Sequence, residues 1–184
     1  MSRVAVALVH HPCLDKAGQI YTTSITNLDV HDIARSGRTF GCNAFYIVTP
    51  VLAQQAMANE IIRFWDADKS RARNPDRSEA LSRAQVTVSV EEAIAQETAV
   101  LGAPPLIVAT SARPQGVIGY AELRARLPSL PGVLILFGTG HGLAGEVIDR
   151  ADLVLAPIVG AEPGYNHLSV RSAAAIVLDR LLGQ

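Results

Sequence analysis

The chain has 184 residues, of which 49% are hydrophobic and 18% charged, and its formal net charge is −1. These values predict one globular domain over residues 1–184 with an ample core, and they exclude both a broad basic face for nucleic acid and any run long enough to span a membrane. All the basic residues except Lys16 and Lys69 are arginine, so any phosphate contact would be local and made by planar guanidinium forks.

Val4–Val9, within a strand-like Arg3–Val9, is an apolar run shorter than a signal-peptide core, and it stops at His10-His11-Pro12. It reads as a first buried strand, and a cytoplasmic location is expected. Cys13 and Cys42 make no C-x-x-C, which fits a reduced compartment. The ligand-type residues of His10-His11-Pro12-Cys13 match no zinc spacing, so no metal is expected. A loop from His10 to Thr26 leads to a helix from about Leu28 to Thr39, with Ile33, Ala34 and Phe40 inward. Gly41 ends that helix and Asn43–Val48 forms a second strand, completing a βαβ unit. Thr49-Pro50 starts another helix reaching about Phe64. Asp66–Ser82 is charged and interrupted by Asn74-Pro75, predicting a surface loop or broken helix. Lys69, Arg71, Arg73 and Arg77 with Trp65 have the composition of a nucleic-acid contact. Asp66, Asp68, Asp76 and Glu79 dilute their charge, and a solvated loop is expected.

Gln85–Val88 is a third strand. Ser89 with Glu92 three residues on is a capping box for a helix that runs to about Leu101 and stops at Gly102. Leu106–Ala109 is a fourth strand and Tyr120–Leu127 a short helix. Val133–Phe137 and Leu153–Ala156 are two more strands, and a helix from about Ser169 to Leu182 closes the chain. Strands alternating with helices predict an α/β fold with a mostly parallel sheet covered on both faces.

Between Val133 and Val170 two strands each end abruptly in a loop of small and polar residues, and such loops on neighbouring strands would form a crevice. Gly138, Gly140 and Gly142 would expose backbone amides to a ligand. Walls from Phe137, Leu143, Ile158 and Leu168 would suit a flat heteroaromatic ring such as adenine. Gly140-His141-Gly142-Leu143-Ala144-Gly145 also satisfies G-x-G-x-x-G. Only about eight residues precede the next strand, too few for the crossover helix of a dinucleotide fold, so this match is set aside.

Three segments carry a resemblance to the SPOUT-class RNA methyltransferases: Leu134–Leu143, Leu153–Pro157 and Asn166–Val170. A fourth, Asn27 to Thr49, is similar to that family's first motif through Asn27, Arg35, Gly41 and the strand after them. The resemblance implies a C-terminal trefoil knot in which the loops after Ala109, Phe137 and Ala156 meet around S-adenosylmethionine. The implied cofactor residues are Thr110, Ser111, Phe137, Gly138, Thr139, Gly140, Gly142, Ile158, Asn166, Leu168 and Val170. Asn27, Arg35 and Ser169 are the implied catalytic residues, with Arg35 stabilising charge and positioning phosphate, since arginine stays protonated. Asn27 and Ser169 equally suit helix N-caps. The resemblance further implies an RNA substrate, tRNA or rRNA, and a homodimer. A nucleotide-dependent oxidoreductase and a catalytically silent binding module stand as alternatives.

Overall fold

The computed structural model describes residues 2–112, 117–162 and 165–184; Arg113, Pro114, Pro163 and Gly164 of the predicted loops lie outside them. Nine strands occur among the described residues: β1 (Arg3–Val9), β2 (Cys13–Leu14), β3 (Ile20–Tyr21), β4 (Ala44–Val48), β5 (Ala84–Thr87), β6 (Leu106–Thr110), β7 (Val117–Ile118), β8 (Gly132–Gly138) and β9 (Leu153–Leu155). Seven form one sheet in the order β5-β4-β1-β8-β6-β9-β7. Every pairing in it is parallel. The helices are α1 (Asn27–Thr39), α2 (Leu52–Asp66), α3 (Asp68–Arg73), α4 (Pro75–Leu81), α5 (Val90–Leu101), α6 (Tyr120–Arg126), α7 (Gly145–Asp149) and α8 (Val170–Leu182).

The two sheet faces differ in the size of what they bury. Along β1 the alternation of strand side chains sends Val4, Val6 and Leu8 to one core and Ala5, Ala7 and Val9 to the other. The first core is thick, with Phe45, Phe137 and residues of α1, α4, α6 and α8. The second is rich in alanine, including Ala44, Ala93 and Ala109, and is covered by α5 and α7. Small side chains there let α5 approach closely. Its Glu97, 1% exposed, accepts bonds from Arg3 Nε at 2.7 Å, Arg3 Nη2 at 2.9 Å and the Tyr46 hydroxyl at 2.7 Å.

Local chemistry sets the helix ends. Gly41 and Gly102 take φ of +79° and +74° where α1 and α5 stop. Ser89 accepts from the Glu92 amide, while the Glu92 carboxylate accepts from the Val88 amide, as a capping box requires in outline. Asn27 is not the cap of α1: Thr26 is, accepting from the Asp29 amide at 3.1 Å. The predicted His10–Thr26 loop contains the β2–β3 hairpin, and the Asp66–Ser82 segment is a broken helix, α3 then α4, capped by Asn74. Period-2 alternation cannot reveal strands of two residues.

Glu97→Ala leaves Arg3 and Tyr46 without their shared acceptor. Arg3 is 24% exposed, which places the expected loss of unfolding free energy at the low end for a broken buried pair, about 3 kcal/mol. Urea denaturation measures it, and a loss below about 1 kcal/mol would show that the triad does not hold β1, β4 and α5 together.

Candidate functional site

Three adjacent parallel strands, β8, β6 and β9, end at one level, as the pairs Ala109↔Leu136 and Thr110↔Leu155 show. The loops that leave them therefore open side by side at the carboxyl edge of the sheet, where open α/β sheets bind ligands. The strands bearing the glycine loop and the Pro157 loop are not direct neighbours, since β6 lies between them. Thr110 stands at that centre and its Oγ1 donates to the Leu136 carbonyl at 2.9 Å. Ser111 comes next, half-buried.

The glycine loop is shaped by its own chain. A Cβ on Gly138 would lie 2.6 Å from the Leu143 nitrogen, and one on Gly140 2.3 Å from the Tyr21 hydroxyl oxygen. Gly140 and Gly142 have φ of +60° and +111°, a region other residues rarely enter. The loop is stitched to the segment around β2: the His141 amide donates to the Leu14 carbonyl, the Leu14 amide to the Gly142 carbonyl, and the Ala144 amide to the Pro12 carbonyl, at 2.9, 2.9 and 3.1 Å. The Gly142 amide donates to the Thr139 carbonyl at 3.0 Å. Part of the predicted ligand-facing amide set is thus committed internally. Phe137 and Leu143, each 2% exposed, belong to opposite cores, so their side chains do not wall one pocket together.

Thr139 turns its hydroxyl inward. It donates to the Val9 carbonyl at 3.0 Å and lies in hydrogen-bond contact with Thr23 Oγ1, which is 2.8 Å from His10 Nδ1. One consistent set of donors runs from His10 Nδ1–H through Thr23 and Thr139 to Val9. His10 Nε2 is then an acceptor, and it is buried without a partner among the described residues. Cys13 also donates to Val9, at 3.1 Å, and His11 contacts Thr22. The sequence offered no sign of this chain, because His10 and Thr139 are far apart along it.

After β9 the chain folds back on itself, with Asn166 Nδ2 donating to the Ile158 carbonyl at 2.8 Å. Ile158 and Val170 pack against the core that holds Phe137, while Leu168 is 43% exposed. Ser169 caps α8, accepting from the Ser172 amide at 3.3 Å. Arg171, 3.5 Å from Asp29 and 3.6 Å from Asp32, ties the first turn of α8 to that of α1. Asn27 and Ser169 are thereby exposed at the starts of two paired helices. Arg35 lies two turns further along α1, about 12 Å at the usual rise, in a groove with Arg38, Asn74 and Arg77. No residue of the glycine loop lines that groove.

Residues 3–183 match the family model described as SAM-dependent RNA methyltransferase. The chain belongs to that family. It is 45% identical over 177 residues to a tRNA (guanine-N(1)-)-methyltransferase of Oleidesulfovibrio alaskensis, covering 96% of this chain and 41% of that protein. The chain thus spans well under half the length of that relative. An uncharacterized protein of Aquifex aeolicus is 39% identical over 183 residues, covering 98% of this chain and 89% of the other. The SpoU methyltransferase AviRb from Streptomyces viridochromogenes, in complex with AdoMet, superposes with a TM-score of 0.60 at 16% identity, covering 98% of this chain and 57% of that one. The fold is that of the SPOUT class.

The family's cofactor, S-adenosylmethionine, is a sulfonium cation. The loops 138–144 and 156–169 contain no lysine or arginine and one carboxylate, Glu162, while the loop after Thr110 carries Arg113; the three loops together are therefore not selective for a cation by charge. A dinucleotide site is disfavoured by the helix after the glycines, since α7 is a single turn of five residues instead of the long helix such a site uses.

The buried histidine gives the family member a pH signature. Burial pushes His10 down to about 4, so between the unfolded value near 6.5 and 4 only the unfolded chain takes up the proton. Stability is then full above pH 6.5 and is expected to fall by about 3 kcal/mol as pH drops to 4. His10→Asn, which keeps a donor toward Thr23, should flatten that part of the profile in urea titrations at pH 7, 5.5 and 4. An unchanged slope would assign the acid sensitivity elsewhere.

Proposed function

We propose that this chain transfers the methyl group of S-adenosylmethionine to RNA, with N1 of a guanine in tRNA as the acceptor. The observation that carries the reading is the placement of three adjacent strand ends, at Thr110, Gly138 and Leu155, along one edge of a SPOUT-type sheet. The relative from Oleidesulfovibrio supports the choice of acceptor. The backbone around Gly138, Gly140 and Gly142, with Thr110, Ser111, Phe137 and Thr139 behind it, would form one side of the cofactor site. Ile158, Asn166, Leu168 and Val170 would form the other. Phe137 and Thr139 contribute through their main chain, because their side chains face inward. A single domain with α8 threaded through a trefoil knot belongs to the same reading, supported by the packing of α8 on α1 and α6.

The cofactor, when bound, supplies an electrophilic methyl carbon. The protein's part is then to hold the acceptor in line with it and exclude water. Guanine N1 carries a proton whose loss would free the lone pair that takes the methyl group, so the protein's residues would have to hold that nitrogen beside the methyl carbon with a path for the proton to solvent or a nearby base. Asn27 and Ser169, exposed beside each other's helices, would orient the nucleotide, and Arg35 would hold its phosphate.

A homodimer fits this arrangement. Leu28, Val159, Tyr165 and Leu168 are 59%, 79%, 69% and 43% exposed around the starts of α1 and α8, and a second copy would cover them.

Calorimetric titration should show saturable S-adenosylmethionine binding and none of NAD. Leu168→Glu, placed on an exposed side chain, should weaken the cofactor at least about tenfold while leaving the fold intact. Absence of sulfonium binding by the folded protein would overturn the reading. Light scattering should give twice the chain mass, and Leu28→Asp should shift it toward the monomer; a monomeric wild type would remove the dimer from the proposal.

A further inference from the structure

The segment whose charges looked too diluted to matter is rearranged by folding. α1 and α4 pack together and leave between them a polar groove of about 500 Å³ lined by Arg35, Arg38, Thr39, Asn74, Arg77 and two carboxylates, Asp76 and Glu79. Glu79 is engaged by Arg38 at 2.6 Å and lies 4.0 Å from Arg83. Among the described residues neither Arg35 nor Arg77 has a carboxylate partner, and Asp76 is the one acid left to oppose the two. Asn74 uses its side-chain oxygen to cap α4, accepting from the Arg77 amide at 3.0 Å.

Aromatic rings border these cations. The Arg77 guanidinium lies 5.0 Å over the Trp65 ring, which makes edge contacts with His31 at 5.7 Å and Phe64 at 5.4 Å. Phe64 is 60% exposed. Arg77 Nε is sealed without a hydrogen-bond partner among the described residues, which leaves the guanidinium's hydrogen bonding to its Nη groups. The cations are felt nearby: burial first, then the charges of Arg77 and Arg35, hold His31 below its usual range. Two guanidiniums without carboxylate partners, Arg77 held over Trp65 and Arg35 exposed, beside an exposed ring are the combination that tracks a nucleic-acid backbone and stacks a base.

We propose that the α1–α4 groove binds the sugar-phosphate backbone of the RNA substrate, Arg35 and Arg77 straddling a phosphate and Phe64 stacking on an adjacent unpaired base. The site rests on the proposed RNA methyl transfer, and α1 links it to the crevice, with α4 on one side and α8 on the other. It gives a chain with net charge −1 a local way to hold a polyanion.

Fluorescence anisotropy of the full chain with labelled bulk bacterial tRNA, without cofactor and across a salt series, tests it. Arg77→Gln and, separately, Arg35→Gln should each raise Kd about fivefold and reduce the salt slope by about 1. Arg35 is exposed on α1, so its replacement keeps the test valid if Arg77→Gln unsettles Trp65. Phe64→Ala should raise Kd about fivefold with the slope unchanged, as stacking predicts. Arg150→Gln, which removes the same charge beside α7 on the other sheet face, should change neither. Wild-type affinity and slope in both groove variants, equal loss with Arg150→Gln, or no tRNA binding by the wild type would each overturn the groove. Cofactor titration of the same proteins separates the two readings: tRNA binding that depends on Arg77 without any S-adenosylmethionine binding would keep the groove and remove the cofactor site.

Discussion

The pairing of β1 with β8 is the contact on which the rest depends. Seven residues at each end of a long chain segment match in register, Arg3↔Gly132 through Val9↔Gly138. Because the strands are parallel, both ends of the ladder coincide, and the turn leaving β1 meets the turn leaving β8. That coincidence sets Thr139 against the Val9 carbonyl and Cys13 against Leu143. Glycine at 138 is required by the return of its own loop, where Leu143 occupies the space a side chain would need, and glycine at 140 by the β2–β3 hairpin, where Tyr21 and Leu14 do. The glycine loop is therefore held from behind by protein before any ligand meets it, which is the preorganisation a transfer reaction needs.

The unequal faces of the sheet divide the remaining work. On the alanine-rich face α5 lies close, and a buried carboxylate can reach two strands at once, so Arg3, Tyr46 and Glu97 replace bulk packing with hydrogen bonds. A charge at that depth is tolerated because each of its oxygens has a donor. On the other face, large side chains hold α1 and α8 further out, and their first turns meet through Arg171 and the two aspartates of α1. The starts of these helices, the loop after β9 and the exposed leucines all fall at the carboxyl edge. The proposed cofactor crevice, nucleotide-orienting residues and dimer surface would in this way all follow from one edge of one sheet.

Arg35 shows why a motif does not locate a function by itself. Its spacing from Asn27 places both on α1, yet the helix carries them two turns apart, one toward the crevice and one toward α4. Arg35 lines one groove with Arg77, whose guanidinium lies over the ring of Trp65. A protein of net charge −1 gains local positive field by leaving two guanidiniums without carboxylate partners beside others that are neutralised in ion pairs.

Much of the fold was legible in the sequence because it rests on short-range rules. Strand boundaries tracked alternation and apolar runs, and Gly41, Gly102, Ser89 and Ser169 marked helix ends through backbone conformation and capping. The order and spacing of the motifs also pointed to the family. The β2–β3 hairpin, the cap at Thr26 and the single turn α7 were not legible, since two-residue strands and one-turn helices carry no period and neighbouring polar residues compete for one cap. Of the site, the sequence determined which residues stand in loops after strands, and hence the candidates. Only the tertiary structure decided which of their atoms face outward: it turned Thr139 toward His10 and Thr23, sealed Phe137 and Leu143 in separate cores, and set Arg35 and Arg77 along one groove. Those outcomes depend on parallel register and helix packing between segments far apart in the chain, and contacts of that kind leave no pattern in the local order of residues.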